Sequence, residues 1–175
     1  MSSELIAVGA QIPDAAVFHS GNPEAVGTCA LPKKLQTGEF FKGKKVVLVF
    51  VPAAFSPTCQ EQHIPAFIEH LAEFRSKGVD AILVGAADTV FTMDAWGKQL
   101  GAKTDIIMIS DPYTEFAKKL GIAFETREGM GPAGLQMGPR TKRAALIADN
   151  GIVKWIGVDD KGLNVSSAQS VLSHL

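Results

Sequence analysis

Cysteine is scarce in this chain. There are two in 175 residues, Cys29 and Cys59, too few for the disulfide framework of a small secreted domain and without metal-ligand spacing. Chemistry in a reducing compartment fits better than structural bridging. An excess of one charge is also missing: 17 basic residues face 18 acidic ones, a net charge of −1. No overall field therefore recruits nucleic acid or an anionic membrane. No apolar run reaches the length that spans a bilayer, and Met1-Ser2-Ser3-Glu4 lacks the basic start of a signal peptide. The expected location is cytoplasmic, although Ser173-His174-Leu175 resembles the small-basic-leucine peroxisomal address. No repeat, low-complexity tract, metal motif or flavin, haem or nucleotide motif is evident, so no cofactor is expected. What remains is ordinary for one domain over residues 1–175. Hydrophobic residues make up 46% and charged ones 20%, in a chain long enough to bury a full core.

One stretch stands out. Val46-Val47-Leu48-Val49-Phe50, bounded by Gly43 and Pro52, has the pattern of a strand buried on both faces. Ser56-Pro57 then supplies a helix N-cap and a proline at the first helical position, which makes Thr58 N2 and Cys59 N3. Cys59 is thus expected in the first turn of a helix that leaves the C-terminal end of a central strand. Unpaired N–H groups and the helix dipole favour negative charge there. A thiol so placed is a candidate nucleophile; the bland alternative is a buried, inert cysteine.

The rest of the chain alternates strand and helix signals. Residues 1–45 are punctuated by proline and glycine, with short extended pieces expected around Leu5–Val8 and Ala15–Phe18 and an irregular connection carrying Cys29. Pro65 lacks an N–H, so a kink or break is expected in the helix that begins at Ser56. Phe67, Ile68, Leu71 and Phe74 continue at helical spacing to Gly78. Further strands are expected at Ala81–Gly85 and Asp105–Ile109, with a helix capped by Asp88 between them and a short helix opened by Asp111-Pro112 after them. Glu125–Arg143 reads as loop and holds Arg127, Arg140 and Arg143, three of the four arginines. Asn150-Gly151 between two apolar runs signals a hairpin, and Ser166-Ser167-Ala168-Gln169 has capping-box form for a last helix. Strands joined by crossover helices pair in parallel. Adding the hairpin gives an α/β fold, a mixed central sheet with helices on both faces, in a thioredoxin-like arrangement.

Position +3 from Cys59 is Gln62, so a Cys-x-x-Cys dithiol is excluded. His63 lies on a similar helix face to Cys59, but Pro65 distorts the geometry, and His63 is read as a structural residue and not as a base. The thiol is left with a helix N-terminus, the Ser56 hydroxyl and a cationic loop. That suits attack on an electrophile that needs hydrogen-bond donors.

Pro52-Ala53-Ala54-Phe55-Ser56-Pro57-Thr58-Cys59 resembles the peroxiredoxin active-site pattern P-x-x-x-[T/S]-x-x-C. His63-Ile64-Pro65-Ala66-Phe67, Ala95-Trp96-Gly97, Ser110-Asp111-Pro112, Lys142-Arg143 and Asn150-Gly151-Ile152-Val153 are similar to the type II, peroxiredoxin-five-like branch. The yeast alkyl hydroperoxide reductase subgroup is similar in its Ala-Phe-Ser-Pro-Thr-Cys run and its ending. The resemblance covers roughly residues 25–175 and implies a thiol peroxidase acting on hydrogen peroxide and alkyl hydroperoxides. It implies that Cys59 is the peroxidatic cysteine, that Ser56 hydrogen-bonds substrate and thiolate, that Pro52 shields the thiolate, and that Arg143 supplies a guanidinium. Ala144 departs from the aromatic residue usual after that arginine. No cysteine occurs at Gly162–Ser166, where many type II members keep a resolving one. In the yeast subgroup an upstream cysteine in a Cys-x-x-Pro setting resembles Cys29-Ala30-Leu31-Pro32, which implies Cys29 as the resolving residue, contributed by the partner subunit of a homodimer. The implied reductant is thioredoxin or a similar dithiol. The rival readings are a one-cysteine, glutathione-dependent peroxidase and a peroxide-sensing switch protein. An apolar mouth lined by Phe55, Met130 and Met137 would favour alkyl substrates.

Overall fold

Hydrophobic side chains along the central strands divide between two cores with a period of two. Val47, Val49 and Val51 enter one cluster, while Val46, Leu48 and Phe50 enter the other. A strand sandwiched between two apolar layers reads in sequence as an unbroken apolar run. Full burial of each such side chain contributes about 1.5–3 kcal/mol.

The computed structural model describes residues 4–126 and 137–175. In chain order, β1 (Ala16–Ser20) and β2 (Pro32–Gln36) form an antiparallel hairpin whose connection carries Cys29. After α1 (Thr37–Phe40) comes β3 (Lys45–Phe50). The helical segment beginning at Pro57 runs through a π turn (Cys59–His63) into α2 (Ile64–Glu69). There follow α3 (Leu71–Ser76), β4 (Ala81–Ala86), α4 (Val90–Leu100), β5 (Ile106–Ser110) and α5 (Glu115–Leu120). A ribbon of β6 (Ala123–Glu125) and β7 (Pro139–Thr141) precedes the hairpin of β8 (Arg143–Asp149) and β9 (Ile152–Asp159), and α6 (Ala168–Ser173) is last.

Seven strands form one mixed sheet in the order β2-β1-β5-β4-β3-β8-β9. The central three are parallel, and both flanks are antiparallel. This is the thioredoxin-like arrangement, with helices on both faces. Phe67, Phe74, Met93, Trp96 and Val171 cover one face, while Phe116, Leu120 and Phe41 cover the other. Asn150 (φ 49°) and Gly151 (φ 76°) close the β8–β9 hairpin. Two successive left-handed residues are what its two-residue turn needs.

Several local expectations are corrected. The chain does not break at Pro65: the Ile64 N–H reaches back five residues to the Cys59 carbonyl. This wide turn accommodates the missing N–H, and the interruption comes at His70 instead. Thr89, not Asp88, caps α4, its hydroxyl accepting from the Thr92 N–H at 3.3 Å. Ser167, not Ser166, caps α6. Leu5–Val8 is irregular, and β2 was hidden because Pro32-Lys33-Lys34 reads as polar turn. Among the described residues, no helix is long and apolar enough to cross a membrane.

Candidate active site

The loop that follows β3 is held at both of its ends. The Val51 N–H continues the sheet by donating to the Gly85 carbonyl (3.0 Å), and the Val51 carbonyl accepts from the buried Thr141 hydroxyl (2.7 Å). Three residues on, the Ala54 N–H donates to the Asp88 carboxylate (2.8 Å), whose other oxygen accepts from Arg140 (3.0 Å). Phe55 then adopts φ 61°, a left-handed conformation that costs a non-glycine residue about 1–2 kcal/mol. Its ring lies 6.2 Å from that of Trp96. These contacts fix the direction in which the helix sets off at Pro57 and so fix Cys59.

The Cys59 sulfur has no exposed surface. Ser56 Oγ lies 2.9 Å from Sγ and also 2.9 Å from the Ala53 carbonyl oxygen. One hydroxyl carries one proton, so it serves the carbonyl while the sulfur is a thiol and can turn to the sulfur when it is charged. Ser56 therefore begins the helix through its carbonyl, which accepts from the Gln60 N–H at 2.8 Å; its side chain is spent on the sulfur, not on helix N–H groups. The second donor is Arg143 Nη1, 3.4 Å from Sγ. Arg143 opens β8, and Ala144 pairs with Phe50, so the antiparallel register carries the guanidinium to the strand end from which the Cys59 loop departs.

A chain of groups behind Arg143 sets its direction. The same Nη1 donates to His63 Nδ1 at 3.0 Å. His63 Nε2 faces the Ser166 carbonyl at 2.9 Å, so this nitrogen carries the proton and Nδ1 is the acceptor. Burial pushes the His63 imidazole down to about 4, and Arg143 adds to that; the Ser166 carbonyl and Asp159 pull the other way without prevailing. Ser166 is in turn held by Asp159, which accepts from its hydroxyl (2.5 Å) and its N–H (3.2 Å). Burial raises the Asp159 carboxyl, but hydrogen bonds from the Ser166 hydroxyl and the N–H groups of residues 164–166 outweigh it and hold it below the usual range.

The fold thus brings Cys59, Ser56 and Arg143 together. Pro52 lies at the rim, in a groove of about 420 Å³ that Thr58, Arg143 and Phe124 also line. Phe55 is not part of that groove; it faces Trp96. Arg127 and Met130 lie outside the described residues. Cys29 stands apart and exposed, its loop tied by Asn22, whose amide donates to the Cys29 carbonyl (3.1 Å) and accepts from the Leu31 N–H (2.9 Å). Cys59 lies beyond the C-terminal end of β3. Because β1 runs antiparallel to β5, the β1–β2 connection turns at the opposite end of the strands. Three strand intervals also separate β1 from β3, roughly 14 Å at the usual spacing. A disulfide tolerates Cα atoms no more than about 7 Å apart.

His63 and its supports were not legible as site residues. The i+4 offset from Cys59 pointed to proximity. Its contact with Arg143 depends on the π turn and on a strand eighty residues away, for which the sequence carries no signal. Among the described residues, no group of three His, Cys, Asp or Glu side chains is placed to hold a metal ion.

Comparison with known proteins bears on this geometry. The redoxin family model matches residues 7–172. A Malassezia furfur protein named as a peroxiredoxin is 38% identical over 171 residues, covering 96% of this chain and 99% of its own. A Lipomyces kononenkoae protein named as a peroxisomal peroxiredoxin is 38% identical over 151 residues, 86% of this chain and 87% of its own. Among solved structures, reduced Prx3 from Vibrio vulnificus in complex with hydrogen peroxide superposes with a TM-score of 0.83 at 35% identity, covering 98% of this chain and 100% of that one.

Proposed function

This chain belongs to the redoxin family and is a peroxiredoxin, an enzyme that reduces peroxides, and from that membership we propose that Cys59 is its peroxidatic cysteine. The thiolate sulfur attacks the terminal oxygen of a hydroperoxide. An S–O bond forms as the O–O bond breaks, and the leaving alkoxide or hydroxide takes a proton to become alcohol or water. The sulfur, oxidised by two electrons, is left as a sulfenic acid. Negative charge moves from sulfur to the departing oxygen, and Arg143 is the fixed cation beside that path. Ser56 donates to the sulfur or to the peroxide with the proton it otherwise gives to Ala53. Pro52 shields the sulfur from bulk water at the rim of the groove. His63, held by Ser166 and Asp159, is a positioning residue that aims the guanidinium.

The partner subunit's Cys29 then condenses with the sulfenic acid. Water leaves, an intersubunit disulfide of a homodimer forms, and a thioredoxin-like dithiol reduces it. The positions of Cys29 and Cys59 at opposite ends of the strands within one chain support pairing between chains. The buried sulfur has to emerge first. The π turn supports local opening there, since Pro65 gives no N–H to the carbonyls before it. The proposed setting is the reducing cytoplasm, with peroxisomal import through Ser173-His174-Leu175 as the finer reading, which the name of the Lipomyces relative supports.

The observation that carries the proposal is the convergence of Ser56 Oγ and Arg143 Nη1 on one buried sulfur in the first turn of a helix. Mass spectrometry of non-reduced protein after one equivalent of peroxide tests it. A Cys29–Cys59 link between chains is expected, together with no peroxide consumption by Cys59→Ser. Full activity of Cys59→Ser would refute the assignment.

A further inference from the structure

The connection between β1 and β2, residues 21–31, has little hydrophobic footing. Of its residues only Ala30 is buried, while Val26 and Leu31 are exposed together with Cys29. Packing beside it is open: hollows of about 270 and 290 Å³ share Pro23, Lys98 and Lys103 in their walls. Internal polar ties give the loop its shape. The Gly21 N–H donates to the Leu31 carbonyl (2.7 Å), the Thr28 hydroxyl to the Ala25 carbonyl (2.8 Å), and the Asn22 amide to the Thr28 hydroxyl (3.1 Å). Such ties fix the loop's own form but not its place on the protein.

That place is set from α4. Asp94 and Lys98 lie one helical turn apart on the same face, with the acid nearer the helix start, the favourable order for such a pair. Lys98 Nζ donates to Asp94 Oδ2 at 2.8 Å and to the Thr28 carbonyl at 3.1 Å. The Lys98 and Asp94 side chains are only 12% and 4% exposed, so salt screens this pair weakly. The other Asp94 oxygen is buried with no partner among the described residues. The carboxylate thus relies on Lys98 and holds its ammonium against the Thr28 carbonyl. Among the described residues, one other hydrogen bond joins residues 22–30 to anything outside the hairpin, donated by the exposed Thr104 hydroxyl to the exposed Glu24 carboxylate at 3.3 Å. Because α4 leaves the C-terminal end of β4 and its last turn lies near the start of β5, Lys98 stands at the far end of the strands from Cys59.

Resting on the assignment of Cys29 as the resolving cysteine, we propose that Lys98, supported by Asp94, is a positioning residue for the second step of the reaction. It acts through the Thr28 carbonyl, one residue before Cys29, and holds the Cys29 loop in the form that meets the partner subunit's sulfenic acid. In that step the Cys29 sulfur attacks the sulfenic sulfur. An S–S bond forms, the S–O bond breaks, and the oxygen leaves as water. A loop tethered beforehand does not have to be ordered at each encounter. Peroxide attack at Cys59, at the other end of the strands, does not depend on the tether.

The test separates the two steps by rapid quench and mass spectrometry of the reduced full chain after one equivalent of hydrogen peroxide, with sulfenic acid counted as its dimedone adduct and disulfide counted directly. In Lys98→Met, sulfenic acid is expected to form at the unaltered rate and disulfide about 5-fold or more slowly, the order of one hydrogen bond from a charged donor to a partly exposed acceptor. Lys98→Arg, which keeps donors for both oxygens, should recover most of the rate. Lys98→Met also strands a buried carboxylate, so Asp94→Asn/Lys98→Met is measured beside it; it removes both charges and should remain as slow. Disulfide formation at the unaltered rate in Lys98→Met overturns the tether. Full recovery in the double variant also overturns it, tracing the loss to the stranded carboxylate. Equal slowing of both steps in the double variant does so too, as general damage to the fold. A disulfide that still forms in Cys29→Ser, or none in the unaltered protein, brings down the resolving role of Cys29 itself and this inference with it.

Discussion

His63 offers a test that separates the geometry of the site from its chemistry. The imidazole is fully buried and titrates near 4, against an ordinary value of 6.5. Between those two values the unfolded chain binds a proton that the native protein refuses. Stability is therefore fully present above about pH 7, falls as pH drops through 6.5, and levels off near 4. At about 1.4 kcal/mol per pH unit, the displacement amounts to about 3 kcal/mol. Replacing His63 with Gln removes the titrating group while keeping one acceptor and one donor for Arg143 and the Ser166 carbonyl. Urea unfolding followed by the fluorescence of Trp96 and Trp155, from pH 7.5 to 4.5, should show the extra slope in the unaltered protein alone. The carboxylates titrate in both proteins and cancel in the difference. Peroxide kinetics give the second readout. His63→Leu leaves a half-buried guanidinium N–H without its acceptor, a loss of about 1 kcal/mol or more, and the rate constant should fall about 10-fold or more, with His63→Gln recovering part of it. Equal pH slopes in the unaltered protein and His63→Gln would refute the buried, neutral imidazole. An unchanged rate in His63→Leu would refute its role in aiming Arg143.

Arg143→Ala should slow peroxide attack about 10²–10³-fold, the usual cost of one lost transition-state donor; a stopped-flow rate constant equal to that of the unaltered protein would return Arg143 to a structural role. Cys29→Ser should still give a sulfenic acid, trapped by dimedone, yet fail to turn over with a thioredoxin-type reductant and form no disulfide-linked dimer on non-reducing gels. Thr141→Val strands the buried Val51 carbonyl that its hydroxyl serves at 2.7 Å, and thermal unfolding should register a loss of about 1–3 kcal/mol.

The amino-acid sequence by itself determined the parts governed by local rules. Val46–Phe50 is a buried strand because every residue is apolar and most are β-branched. Ser56-Pro57 starts a helix because proline fits its first position, and Asn150-Gly151 makes a hairpin because both residues tolerate left-handed backbone. Cys59 at the head of a helix followed from the first two of these rules without any long-range information. Pro65 misled for the same reason: the local rule says break, while packing of Ile64 and Phe67 into the core holds the helix together through a wide turn. Only the tertiary structure decided what meets the sulfur. Arg143 reaches it because β8 pairs antiparallel with β3 in one register, and a slip of one residue would turn the guanidinium to the other face. Nothing near His63 in the chain encodes Ser166 or Asp159, which arrive from the end of β9 and the connection to α6. The separation of Cys29 from Cys59 likewise belongs to strand order. Sequence distance is silent on which edge of a sheet a hairpin faces, because pairing partners are chosen by packing of the whole sheet and not by neighbours along the chain.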